Sequence, residues 1–189
     1  GGFLSATAYA VGSSPRSIST GDFNGDGVLD LVTANLNSNN LSVLYGAGTG
    51  AFVGAVSLSS AINGPYVIKS ADLNGDGMDD LVILSINSST VMVRLNIGGG
   101  FSSTATYTAG NQVQSLAIAD YDGDGVLDIA VANTNSNSFS LLRGTGNGTF
   151  ATAVNTGVGD AIHSIASGDL DGDSDLDICI TLPNVYVAS

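Results

Sequence analysis

The 189-residue chain contains no glutamate and no tryptophan, and only three prolines, one cysteine and one histidine. Lys69, Arg16, Arg94 and Arg143 are its only basic side chains besides His163. With so few cations and a formal net charge of −13, the basic face that nucleic-acid binding requires is excluded. A single cysteine, Cys179, excludes an intrachain disulfide. It lies in the apolar run Ile178–Ile180 and reads as an inert, buried thiol. Apolar runs such as Leu81–Leu84 are far too short to span a bilayer as a helix. There is no G-x-S-x-G elbow, and no Lys-Ser/Thr follows the Gly98–Gly100 turn, so neither a hydrolase elbow nor a phosphate loop is present. The chain starts at Gly1 without a Met or a signal-peptide pattern, as expected of a processed or excised form.

What is present is concentrated. Every acidic residue is an aspartate, and 16 of the 17 fall in four copies of one nine-residue loop. The copies run Asp22–Asp30 (DFNGDGVLD), Asp72–Asp80 (DLNGDGMDD), Asp120–Asp128 (DYDGDGVLD) and Asp169–Asp177 (DLDGDSDLD). Only Asp160 lies outside them. Charge placed for solubility would be scattered and would mix Glu with Asp. Carboxylates confined to D-x-[DN]-G-D-x-x-x-D build an oxygen cage for a hard cation.

The first Asp recurs at 22, 72, 120 and 169, steps of 50, 48 and 49 residues. A period near 50 is the mark of a repeat architecture. A Phe element recurs with it, as Gly2-Phe3, Ala51-Phe52, Gly100-Phe101 and Thr149-Phe150. Each unit reads as four short strands. An inner strand of small and β-branched residues (Ser17–Thr20, Val67–Ala71, Ser115–Ala119, Ser164–Ser167) leads into the Asp loop. An apolar strand follows (Leu31–Ala34, Leu81–Leu84, Ile129–Ala132, Ile178–Thr181). An Asn/Ser turn then leads to a third strand (Leu41–Tyr45, Val91–Asn96, Phe139–Arg143, Val185–Ala188). An outer strand such as Ser102–Thr108 closes the unit after a Gly-rich turn. Short strands, Gly and Asn turns and no helical periodicity make the chain all-β. Four strands per unit of this length fit a β-propeller of four-stranded antiparallel blades, four blades in this chain. One propeller, or a segment of one, is expected over 1–189, with blades at about 11–58, 59–108, 109–157 and 158–189. The N-terminal strand Phe3–Ala10 is expected to complete the last blade, in its own chain or in a neighbour.

Within each loop, positions 1, 3, 5 and 9 carry side-chain oxygens: Asp22, Asn24, Asp26 and Asp30; Asp72, Asn74, Asp76 and Asp80; Asp120, Asp122, Asp124 and Asp128; Asp169, Asp171, Asp173 and Asp177. Position 7 varies (Val28, Met78, Val126, Asp175), as it would where a backbone carbonyl is the ligand. Oxygen donors without His or Cys favour Ca²⁺ over zinc or copper, and several irregularly spaced carboxylates favour it over Mg²⁺. Up to four Ca²⁺ are expected. An EF-hand is excluded, because position 12 is Thr33, Ile83, Val131 or Ile180 rather than Glu. A bare polar turn would crowd these carboxylates without compensation. The third loop, with four Asp ligands and Gly125, is expected to bind most tightly. In the fourth, Ser174 replaces the position-6 glycine and would have to accept a positive φ.

Gly21–Asn35 and Ala119–Asn133, with the Ser-Val-Leu-Tyr-Gly and Ser-Leu-Leu-Arg-Gly segments that follow, resemble FG-GAP/VCBS repeats. These are blades of integrin-α-like β-propellers and of many secreted bacterial proteins. The resemblance covers essentially the whole chain and implies Ca²⁺ bound in a loop joining the innermost strand to the second. It also implies an extracellular or cell-surface setting. The literal Phe-Gly…Gly-Ala-Pro signature is degraded, and Asp79 replaces the usual apolar residue at position 8.

Three functional classes are open at this point. The first is a calcium-stabilised, non-enzymatic binding or adhesion module with a protein or glycan ligand. Arg16, Tyr66, Gln114 and His163, at matched positions opposite the Asp loops, are its candidate ligand face. The second is a structural subunit assembling head-to-tail into a ring, array or filament through its terminal strands. The third is a carbohydrate-active enzyme or lectin on the same fold. No catalytic residue is assigned.

Overall fold

A computed structural model describes residues 5–59, 63–102, 104–182 and 185–188. All regular structure among them is β, in fifteen strands. The first sheet holds β1 (Pro15–Gly21), β2 (Asp30–Asn35), β3 (Asn40–Leu44) and β4 (Val56–Ser59) in sequential order. The second holds β5 (Pro65–Ala71), β6 (Asp80–Ser85), β7 (Thr90–Arg94) and β8 (Ala105–Thr108). The third holds β9 (Val113–Ala119), β10 (Asp128–Asn133), β11 (Ser138–Leu142) and β12 (Val154–Gly157). The fourth has three strands, β13 (Ser164–Gly168), β14 (Asp177–Thr181) and β15 (Val185–Ala188). Every pairing is antiparallel.

The blade-like sheets pack face against face through apolar residues of their inner and middle strands. Val32, Leu41 and Val43 meet Ile68, Leu81, Ile83 and Met92 at the first junction. Val82, Leu84, Val91 and Val93 meet Leu116, Ile129 and Val131 at the second. Ala130 and Ala132 meet Ile165, Ile178 and Ile180 at the third. The inner strands stand side by side in the order β1, β5, β9, β13. Small side chains let them approach. The Ser17 hydroxyl accepts the Ile68 N–H at 3.1 Å, and the Ser19 and Ser70 hydroxyls are 2.9 Å apart.

Three expectations need correction. Among the described residues the four blades form a row with β1 and β13 at its ends, rather than a closed ring: the inner strands meet as β1 with β5, β5 with β9 and β9 with β13. The N-terminal segment does not complete the last blade of its own chain: Ser5–Ala10 forms no strand, and β15 pairs only with β14 among the described residues. (Phe3 and Leu4 lie outside the described residues.) The cause is local. The Tyr9 ring packs edge-on against Phe52 with centroids 5.5 Å apart, and its hydroxyl accepts the Phe52 N–H at 3.2 Å. The segment is thereby held on the first blade. Finally, Cys179 is half-buried rather than enclosed, because it faces the unpartnered side of the last blade.

Candidate metal centres

Because the strands alternate in direction, the β1–β2 type loops and the β3–β4 type turns share one end of the blades. The four Asp loops therefore lie together at that end. Each is organised by its own carboxylates. The position-1 Asp accepts three backbone N–H groups across the turn: Gly25 and Asp26 to Asp22 Oδ1 at 2.8 and 3.1 Å, and Gly27 to Asp22 Oδ2 at 2.8 Å. Asp72 and Asp120 repeat this with Gly75 and Gly77 and with Gly123 and Gly125. Position 5 accepts the N–H of position 7, as Asp26 does from Val28 at 2.8 Å and Asp173 from Asp175 at 2.9 Å. The chain can turn this tightly because positions 4 and 6 have positive φ, 76° and 80° at Gly25 and Gly27. Ser174 adopts φ 79°, the left-handed conformation its position demands. Its N–H reaches Asp169 at 3.2 Å, longer than the 2.8 Å of the glycines it replaces.

The position-9 Asp fastens the loop to the blade. Asp30 accepts the Phe23 N–H on one oxygen at 2.9 Å and the Gly46 N–H on the other at 2.8 Å. Asp80 does the same with Leu73 and Asn96, and Asp128 with Tyr121 and Gly144. Gly46, Asn96 and Gly144 are the residues that bridge to Phe52, Phe101 and Phe150. The recurring Phe is thus the anchor of the turn beneath each loop. Position 2 fills the junction between blades, where Phe23 lies 5.8 Å from Phe101, centroid to centroid.

These contacts converge the oxygens that the sequence singles out. Carboxylate oxygens of Asp120, Asp122 and Asp124 lie within 4.8 Å of one another, as do those of Asp169, Asp171 and Asp177. In the first two loops the position-3 residue is an amide, and Asn24 and Asn74 donate to Asp26 and Asp76 at 2.9 Å. The donors are carboxylate and amide oxygens throughout, which fits a hard divalent cation. The third loop holds a feature absent from its sequence motif: Arg143, from the turn after β11, forms an ion pair with Asp122.

The carboxylates gathered in each loop act on one another. Asp80 and Asp128 have pKa values raised above the ordinary carboxylate value. Burial is the main cause, opposed by their backbone N–H donors and reinforced by Asp72 and Asp76 or Asp120 and Asp124. Asp79 is raised chiefly by burial as well. Asp22 is lowered, principally by the Gly27 N–H.

The candidate ligand-face residues lie at the opposite end. Arg16, Tyr66 and Gln114 each occupy a register shift where the inner strand begins: Pro15/Ser17 in β1, Pro65/Val67 in β5 and Val113/Ser115 in β9. They are β-bulge residues, unpaired in the ladder and free to be re-aimed. His163 immediately precedes β13 and donates its N–H to Thr181 at 3.2 Å. Arg16 and His163 are exposed, Tyr66 and Gln114 half-buried.

The family model described as FG-GAP-like repeat matches the chain three times, at residues 22–83, 72–131 and 120–180. No curated protein matches the sequence. Among solved structures, an Agrocybe aegerita lectin, described by its specific recognition of non-reducing terminal N-acetylglucosamine, is similar over 89% of this chain and 50% of its own, with 24% identity and TM-score 0.61. BBS1N, solved in complex with ARL6DN, is similar over 96% of this chain and 54% of its own, with 16% identity and TM-score 0.62. Hydrazine synthase of Kuenenia stuttgartiensis is similar over 98% of this chain and 51% of its own, with 17% identity and TM-score 0.54. The chain thus spans about half the length of these structures. At such identities the likeness is one of fold.

Proposed function

Because the chain belongs to the FG-GAP-like repeat family, we propose that it is a calcium-stabilised, non-enzymatic binding module of the β-propeller type, working outside the cell or at its surface. One observation carries this reading: the two ends of the blades differ in kind. One end repeats the same Asp loop four times. The other presents Arg16, Tyr66, Gln114 and His163, four different chemistries at one repeat position, three of them on bulges. A repeated end suits a frame, and a varied end suits recognition.

Calcium would be held by Asp22, Asn24, Asp26 and Asp30 and their counterparts in the other three loops, with the carbonyls of Val28, Met78, Val126 and Asp175 completing each set. Its role is to neutralise the gathered carboxylates and fix each loop on its blade. Exposed loops of this kind need free calcium of the level found outside cells. The ligand face offers donors, an amide and one phenol, which suits a polar partner such as a glycan or a peptide. The likeness in fold to a sugar-recognising lectin makes glycans the first class to screen.

Chelation should lower the melting temperature strongly, since an ion that binds only the folded state stabilises it by mass action. An unchanged melting curve in excess chelator would remove the calcium reading. A glycan and peptide array probed in calcium tests the binding reading. Binding should be lost in Arg16→Ala and Tyr66→Ala and kept in Asp160→Asn. Binding that ignores the first two substitutions would place the ligand elsewhere.

A further inference from the structure

The second blade departs from its neighbours at two positions at once. Loop position 8 is Leu29 in the first blade and Leu127 in the third, but Asp79 in the second. The turn residue whose N–H the position-9 Asp accepts is Gly46 in the first blade and Gly144 in the third, but Asn96 in the second. The two glycines are required where they stand. A Cβ at Gly46 would collide with the Leu29 carbonyl oxygen, and one at Gly144 with that of Leu127. The second blade has Asp and Asn at this pair, and both side chains reach the first loop.

Asn96 is 2% exposed. Its Nδ2 donates across the junction to the Phe23 carbonyl at 3.2 Å, and its Oδ1 accepts the Gly98 N–H at 3.1 Å. Its own N–H donates to Asp80 at 2.7 Å. The Phe23 N–H in turn donates to Asp30 at 2.9 Å. The position-9 carboxylates of the first two loops are therefore joined through two residues, Phe23 and Asn96. Asp79 makes a second tie. Its carboxylate accepts the Asp22 N–H and lies so close to Gly21 that a Cβ there would be 2.6 Å from Oδ2. Ser70 makes a third, donating to the Thr20 carbonyl at 2.6 Å. Residues 20–23, which lead into the first loop, are thus held by the second blade at three backbone groups. At the next junction the matching positions are Gly144, Leu127 and Ile118, none of which has a polar side chain.

We propose that the first and second loops bind calcium as a coupled pair, with Asn96 as the positioning residue between them, while the third loop fills independently of the second. The inference rests on the calcium reading above. A cation held in the second loop fixes Asp80, and through it Asn96 and the Phe23 peptide on which Asp30 is seated. The first loop then has less freedom left to lose when it is filled, so its affinity rises. The effect is reciprocal, as any coupling between two bound ligands must be. Repulsion between two divalent cations opposes it. Asp79, a carboxylate in contact with both loops, offsets part of that repulsion.

Calcium titration of the chelated chain, followed by NMR at the amides of Gly27, Gly77 and Gly125, reads three loops separately, because each amide donates to the position-1 Asp of its own loop. In the wild type the Gly27 and Gly77 signals should respond together, more steeply than a single site allows, and Gly125 with its own midpoint. Asp76→Ala, which disables the second loop, should weaken the first by at least about five-fold, the low end of coupling between sites. Asp124→Ala removes the same charge from the third loop and should leave the second unchanged. Asp79→Leu combined with Asn96→Gly gives the second blade the residues of its neighbours and keeps the N–H that Asp80 accepts. In that background Asp76→Ala should no longer weaken the first loop. Should the combined variant fold poorly, the wild-type titration decides alone. Independent single-site curves at Gly27 and Gly77 overturn the proposal and leave the calcium reading standing. An equal loss at the second loop in Asp124→Ala reduces the effect to charge and overturns it as well. No response at any of the three amides overturns both readings.

Discussion

Asp79, in the second loop, accepts the backbone N–H of Asp22, the first residue of the first loop. The other loops carry Leu29, Leu127 and Leu176 at this position. The contact ties two neighbouring Asp loops together and places a fourth carboxylate near each. Its pKa is raised mainly by burial, with the charges of Asp72 and Asp22 adding to the effect.

Asp79→Asn keeps an acceptor for the Asp22 N–H and removes the charge. Two opposite effects should follow. The chelated protein should melt at a higher temperature than the chelated wild type. Calcium affinity at the first two loops should fall by a few-fold, as expected when a site loses negative charge. Differential scanning calorimetry and calcium titration read the two separately. A loss on both counts would mean that the charge itself supports the fold.

The metal-free protein should become more stable on mild acidification. Asp79, Asp80 and Asp128 have raised folded-state pKa values. Their stabilising contribution is fully present below the unfolded value of 3.8 and is lost as pH rises through the raised values. Asp22 is lowered and acts in the opposite sense, but its carboxylate is exposed and well screened. Thermal melts in chelator should therefore rise as pH falls from neutrality toward that value. With calcium present the trend should reverse, because protons compete with the ion.

Ser174→Gly should stabilise the fourth blade. A non-glycine residue at φ 79° costs on the order of 1 kcal/mol. Removing that cost should raise the stability of the whole chain by a similar amount and tighten calcium at the fourth loop. Denaturant titration and calorimetry with the other loops intact would show it. A neutral result would mean that Ser174 gains something from its hydroxyl which offsets the strain.

Arg143→Gln should strengthen calcium binding at the third loop. Arg143 pairs with Asp122, so the cation must displace it or share that carboxylate. The four-Asp count makes this loop the most acidic cage after the fourth, yet its own arginine offsets part of that charge. Titration of the variant should show a gain at this loop alone. The same substitution should lower the stability of the metal-free protein, where Arg143 is the ion-pair partner of the cluster.

The repeat architecture was legible because two periodicities coincide. The Asp loop recurs near 50 residues, and between copies the apolar residues fall in short runs that suit strands. The strands expected around each loop are present, as in Leu31–Ala34 within Asp30–Asn35 and Val67–Ala71 within Pro65–Ala71. The outer strand after Phe101 is shorter than expected, starting at Ala105, because Phe101 is engaged in a bridge to Asn96. Ser174 announced its own backbone strain by replacing a glycine. Contacts between units were not legible. Nothing in a motif indicates that Arg143 turns onto Asp122, that Asp79 reaches the neighbouring loop, or that Tyr9 holds the N-terminal segment on Phe52. A signal for the last lay in the chain all the same. Tyr9 precedes Phe52 by the 43 residues that separate Tyr107 from Phe150. The bulges at Arg16, Tyr66 and Gln114 arise from strand register, which composition does not encode.

The row of blades also dictates how the molecule comes apart. Among the described residues the blades pack on their neighbours through three separate apolar clusters, so stability is a chain of nearest-neighbour couplings rather than one shared core. Among the described residues the middle blades are held on two sides and the first and last on one. Opening should therefore begin at the ends and travel inward, with the three-stranded last blade leading. Amide hydrogen exchange would record this as a gradient, slowest in β6 and β10 and fastest in β14. A mutation's cost would then depend on how far its blade stands from the nearest end, as much as on the side chain it removes.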